Sequence, residues 1–158
     1  IYQAHLARRH NRLSVRPHLV QFTYRDIKPG QATLVFRISN NGVGPAFIKS
    51  FKVLLDGEPV SDADKAIEQV VDMPRCIRRV TSLADNYAMP AGEVKDILAL
   101  VFPLEAGESL DQVEQKLNRF DLVVEYESAY KEQGKLDTRT VEQGANKALK
   151  PTRLSRAA

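Results

Sequence analysis

Cys76 is the only cysteine in a chain of 158 residues, and it stands among Arg75, Arg78 and Arg79. Guanidinium groups near a thiol lower its pKa toward a reactive thiolate, which is the chemistry of a nucleophile. A nucleophile needs its base in place, and His5, His10 and His18 all lie in the first 18 residues. Cys76 therefore reads first as a small buried hydrophobe, and second as the nucleophile of a small hydrolase or thiol enzyme. A lone cysteine excludes an internal disulfide and any multi-cysteine zinc site. The histidines are five and eight residues apart, which misses the i, i+4 spacing that puts two metal ligands on one helix face. The acids Asp56, Glu58, Asp62 and Asp64 lack the Asp-x-Asp-x-Asp-Gly order of a calcium loop and read as turn formers, solvated charge and helix caps. No phosphate loop and no dinucleotide fingerprint is present, so no cofactor, metal or catalytic set is expected. Arg75, Arg78 and Arg79 remain a candidate patch for an anion or an acidic partner, beside the plainer reading of a strand end pairing with nearby acids.

The net charge of +3 hides an uneven distribution. Residues 1–16 carry Arg8, Arg9, Arg12 and Arg16 without an acid, and residues 145–158 carry Lys147, Lys150, Arg153 and Arg156 without an acid. All 20 acidic residues lie between, against 15 of the 23 basic ones, so the body is acidic and a nucleic-acid partner is not expected. The longest apolar run, Ile97 to Phe102, is far shorter than the ~18 residues that cross a bilayer. Ile1 opens the chain without the features of a signal peptide, and the expectation is that a preceding segment has been removed.

Pro17 ends a helical reading of residues 1–16. Beyond it Val20, Phe22 and Tyr24 alternate with Gln21 and Thr23 up to Pro29-Gly30, a strand. Ala32, Leu34, Phe36 and Ile38 then alternate inward with Thr33, Arg37 and Ser39 outward. The run from Ala46 to Leu55 slips parity between Ile48 and Phe51, which predicts a bulge near Lys49-Ser50. Asp56-Gly57 predicts a tight hairpin turn. Two helix starts are legible, Ser61 with Asp64 and Ser109 with Gln112, each spaced as a capping box. Residues 75–92 read as a short strand and a loop, and Val94 to Phe102 as a central strand covered on both faces. Leu122, Val124 and Tyr126 mark another strand, and a last one is predicted near Leu136 to Val141. The sum is an immunoglobulin-like antiparallel β-sandwich of about seven strands with two short inserted helices. Its predicted parts are a connector over residues 1–17, the sandwich over 18–143 and a disordered basic tail over 144–158.

Three segments taken together, His10 to Leu19 (HNRLSVRPHL), Asn40 to Ala46 (NNGVGPA) and Tyr126 to Tyr130 (YESAY), resemble an uncharacterised bacterial family with an N-terminal membrane helix and a small β-rich soluble domain. The resemblance spans about residues 10 to 130. It implies that residues 1–17 are a juxtamembrane connector, with Arg8, Arg9 and Arg12 facing anionic lipid; such residues gain about 1 kcal/mol each near the surface. The side of the membrane stays open. The tail Asn146 to Pro151 separately resembles the translated ends of integron gene-cassette proteins.

The glycine motif reads as a sandwich corner, in which Gly42 and Gly44 adopt angles that a β-carbon forbids and Pro45 starts the next strand. Sandwiches commonly bind through end loops, so Gly42, Gly44 and Pro45, together with Asn86 and Tyr87, are the candidate binding loops. The expectation is a membrane-tethered, non-catalytic interaction module with a lipid anchor and an unidentified protein partner. Its alternatives are the thiol enzyme at Cys76 and a structural accessory subunit of an envelope complex.

Overall fold

Alternation with period two decides the architecture. A computed structural model describes residues 2–104 and 109–139. One sheet contains β1 (Leu19–Lys28), β2 (Gln31–Asn40), β5 (Ile77–Val80) and β7 (Val94–Pro103), in the order β1-β2-β7-β5. The other contains β3 (Ala46–Leu55), β4 (Glu58–Pro59), β8 (Phe120–Glu127) and β9 (Gln133–Asp137), in the order β4-β3-β8-β9. The two-residue β6 (Ala88–Met89) pairs with the start of β3. Every pairing is antiparallel. The fold is an immunoglobulin-like β-sandwich, as the strand pattern predicts. The tail predicted over 144–158 and the end of the predicted last strand lie outside the described residues. Within them that strand begins earlier, at Gln133, and ends at Asp137.

The turns sit where their residues demand. Asp56 and Gly57 take φ angles of 51° and 87°, the two positive values of a two-residue hairpin turn, between Leu55 and its partner Glu58. The predicted bulge is present: Ile48 pairs with Tyr126 and Ser50 with Glu125, leaving Lys49 as the extra residue. A second bulge was not legible. Phe36 pairs with Leu98 and Arg37 with Asp96, so Ile97 is the extra residue of β7 and joins Leu98 in the interior. This corrects the expectation of a strand covered on both faces, because Ala99 and Val101 on the other side are only half-buried.

The interior has two parts. At one end the sheets pack directly on each other through Leu19, Ile38, Ile48, Ile97, Val124 and Tyr126. At the other, α2 (Ala63–Val71) and α3 (Leu110–Leu117) fill the space, setting Ile67, Val71, Val113 and Leu117 against Leu34, Leu100 and Phe102. Each such side chain, fully buried, contributes about 1.5–3 kcal/mol. Ser109 and Gln112 form the reciprocal capping box read from the sequence. The start of α2 differs: Asp62, not Ser61, is the cap, and its carboxylate accepts from Lys65 N at 3.1 Å. The shorter acid at position 64 cannot complete a box from Ser61, whereas Asp62 reaches the free amide alone.

β1 inverts the usual pattern. Residues directly opposite in an antiparallel pair share a face. Leu34 and Phe36 point inward, and their partners on β1 are Arg25 and Thr23. The apolar residues Val20, Phe22 and Tyr24 therefore lie on the outer face, opposite Ser39, Arg37 and Val35. The guanidinium of Arg37 stacks on the Tyr24 ring at 4.7 Å. On the inner side Arg25 pairs with Asp111 and Glu114 of α3.

Asp62→Ala and Ser109→Ala are each expected to lower stability by about 1 kcal/mol, and Ser61→Ala to leave it unchanged. Urea denaturation of the three variants checks this.

Candidate functional site

Four chain segments meet at the end of the sandwich where β1 begins: Val15 to His18, the corner Asn41 to Pro45, residues 85–93 and the β8–β9 hairpin. Asn40 holds three of them. The inward parity of β2 runs Ala32, Leu34, Phe36, Ile38 and then Asn40, which is fully buried. Its Oδ1 accepts from His18 N and Gly42 N, both at 3.1 Å. Its Nδ2 donates to Gly44 O at 2.9 Å and Met89 O at 3.0 Å. That uses both lone pairs and both protons of the amide. Asn40 N in turn donates to Glu93 O, and Asn40 O accepts from Gly92 N. Asn40 was not among the candidates from sequence; a polar residue continuing an inward apolar series was the available signal.

The glycines of the corner have a different cause from the one predicted. Gly42 and Gly44 do not take positive φ angles. A Cβ on Gly42 would collide with Arg16 O and His18 N, and one on Gly44 with the backbone of Val15. The requirement is close approach of one backbone to another, reinforced by Val43 N donating to Arg16 O at 3.1 Å and Asn41 N to His18 O at 2.8 Å. Pro45 directly precedes β3. The segments around HNRLSVRPHL and NNGVGPA are thus one packing unit. The third motif joins it through Tyr126, whose hydroxyl accepts from Leu19 N at 3.4 Å, while Ser128 orders the hairpin itself, its Oγ accepting from Tyr130 N and Glu132 N, both at 3.2 Å.

Asn86 and Tyr87 are occupied by the fold. Asn86, at φ 62°, donates its amide to Ile48 O at 2.7 Å, and Tyr87 O accepts from Ile48 N at 2.9 Å, which completes β3 beside its bulge. The Tyr87 hydroxyl donates to the Glu93 carboxylate at 2.7 Å, while Lys95 lies 3.1 Å from Glu93 and 5.3 Å from the Tyr87 ring centre. That hydrogen bond holds the Glu93 carboxyl below its usual range, and burial followed by the Glu93 contact pushes the Tyr87 phenol up. Val43 and Tyr130 are among the large apolar side chains left exposed at this end.

Arg8, Arg9 and Arg12 lie on α1 (Tyr2–Leu13), which buries none of its residues. Together with Arg16 and His18 they face Glu132 of the hairpin across an open cleft of about 1000 Å³. Arg12 approaches Glu132 at 4.0 Å.

Arg75, Arg78 and Arg79 are not brought together. Arg78 bonds Asp64 at 3.0 Å and lies 3.5 Å from Glu68, both on or beside the first turns of α2. Arg79, next in the strand, points to the opposite face and is exposed, and Arg75 occupies a turn at φ 60°. Cys76 is half-buried against the helix-filled part of the interior. Burial pushes its thiol up, against the smaller opposing effect of Arg78. The histidines lie at the other end of the sandwich. Among the described residues no group of three or more His, Cys, Asp or Glu side chains is placed to hold a metal ion, and no helix is long and apolar enough to cross a membrane.

No family model matches the chain, and neither does any curated protein. Among solved structures it is similar to part of the exo-chitosanase CsxA of Amycolatopsis orientalis, solved in complex with PNP-beta-D-glucosamine. The match has 14% sequence identity and a TM-score of 0.30, and covers 78% of this chain and 12% of that one.

Asn40→Ala strands two amides and two carbonyls and is expected to destabilise by about 3 kcal/mol or more. Asn41→Ala, which loses one bond from Ser39 Oγ, is expected to cost under about 1 kcal/mol; thermal denaturation distinguishes them. Because the Cys76 thiol is shifted upward, it stays protonated at neutral pH. Iodoacetamide is expected to label it more slowly than free cysteine at pH 7, with the rate still rising above the pH where free cysteine levels off.

Proposed function

We propose that this chain is a membrane-tethered, non-catalytic interaction module of bacterial and integron-cassette origin, working at the end of the sandwich from which α1 projects. The observation that carries this reading is α1 itself, a helix with five basic residues in eight positions (His5, Arg8, Arg9, His10, Arg12), no acid and nothing buried, beside a corner locked to its connector. A helix that contributes no packing to the fold serves something outside it. The family resemblance supplies the anchor: a preceding membrane helix would place the arginines at the lipid surface, and the domain would extend from there. The exposed Val43 and Tyr130 would then meet a protein partner close to the membrane. Support for a thiol enzyme is weaker, because burial keeps Cys76 protonated and the histidines sit at the far end.

One observation favours the accessory-subunit reading as a second possibility. The outer face of the four-stranded sheet carries Val20, Phe22 and Tyr24 on β1, and Ile77, 69% exposed, on β5. An apolar face of this kind suits a structural neighbour in an envelope complex.

Photo-crosslinkers placed singly at Val43, Tyr130 and Ile77 in the protein in its native cells test both. Discrete protein adducts from Val43 and Tyr130, with the protein in the membrane fraction, are expected. Adducts from Ile77 alone would favour the accessory reading, and a protein wholly in the soluble fraction would overturn the tether.

A further inference from the structure

Guanidinium groups in this fold generally meet a carboxylate. Arg25 meets Asp111 and Glu114, Arg37 meets Asp96, Arg78 meets Asp64 and Glu68, Arg119 meets Asp56, and Arg139 meets Asp137. The cleft between α1 and the β8–β9 hairpin breaks that rule. Positions 5, 8, 9 and 12 fall on one face of a helix with 3.6 residues per turn, so His5, Arg8, Arg9 and Arg12 line the same wall, and Arg16 extends it along the connector. Among the described residues Glu132 is the one carboxylate that reaches this wall, at 4.0 Å from Arg12. Arg8, Arg9 and Arg16 pair with no carboxylate among the described residues. Four cations converging on one acid repel one another until an anion enters. Their planar forks suit phosphate oxygens, which accept two parallel hydrogen bonds from one guanidinium. A volume of about 1000 Å³ takes more than a single phosphate ion.

We propose that this cleft binds a phosphate-bearing ligand carrying two or more negative charges, held between the arginine face of α1 and the β8–β9 hairpin. The site needs no tether: the phosphate can belong to a lipid headgroup or to a soluble compound, and the chemistry of recognition is the same. Glu132 opposes the ligand and limits its affinity.

The test uses the 158-residue chain. Titration calorimetry with inorganic pyrophosphate at low salt reads the soluble source. Flotation with vesicles of phosphatidylcholine alone, or mixed with phosphatidylglycerol, reads the headgroup. Arg8→Gln/Arg12→Gln/Arg16→Gln is compared with Lys28→Gln/Lys52→Gln/Arg79→Gln, which removes the same charge from elsewhere on the surface. The cleft variant is expected to bind about tenfold more weakly than the control variant, and Glu132→Gln about twofold to threefold more tightly than the unaltered protein. Binding of pyrophosphate assigns a soluble ligand, and binding of phosphatidylglycerol vesicles alone assigns a headgroup; both support the site. Absence of binding to either probe, or equal losses in the two triple variants, overturns it.

Discussion

The carboxamide of Asn40 is the interaction on which this end of the molecule depends. With both lone pairs and both protons engaged, it ties the connector, the corner and the β6 segment to the last residue of β2. A buried amide with four partners is rigid because every displacement strands a polar group in the interior. It also sets register. β1 presents Val20, Phe22 and Tyr24 outward, and sliding it by one residue would turn that apolar set toward the core. The bond from His18 N to Asn40, together with the Pro29-Gly30 turn at the other end of the strand, holds the pairing in place.

Much of the scaffold was legible because turns and caps are local chemistry. Asp56-Gly57 demanded positive φ, Ser109 and Gln112 demanded a helix start, and the parity slip at Lys49 demanded a bulge. What escaped depended on contacts distant in sequence. The second bulge at Ile97 left no parity slip, since every residue from Ile97 to Phe102 is apolar. The outward face of β1 resembles an inward one until its partner strand is known. The glycines of the corner were correctly placed in a turn but for the wrong reason, because the backbone that crowds them comes from Val15 to His18, more than twenty residues away.

The candidate site was legible in its arginines and not in its shape. A run of Arg8, Arg9 and Arg12 is visible at once, but the cleft exists only because the β8–β9 hairpin stands opposite, organised by Ser128 and Tyr126. Conversely Arg75, Arg78 and Arg79 are neighbours in sequence and separate in space, since strand geometry sends successive side chains to opposite faces and α2 draws Arg78 toward Asp64. Proximity along a strand is therefore poor evidence for a patch, whereas spacing of three and four along a helix is good evidence for a face.

The near contact between Gly44 and the Val15 backbone has a mechanical meaning. The chain leaving α1 is bonded to the corner through Arg16, His18 and Asn41 before it becomes a strand. A pull transmitted along that helix is borne first by these bonds and reaches the paired strand beyond Leu19 only after they part. The corner is thereby the first part of the domain to carry load that enters through α1.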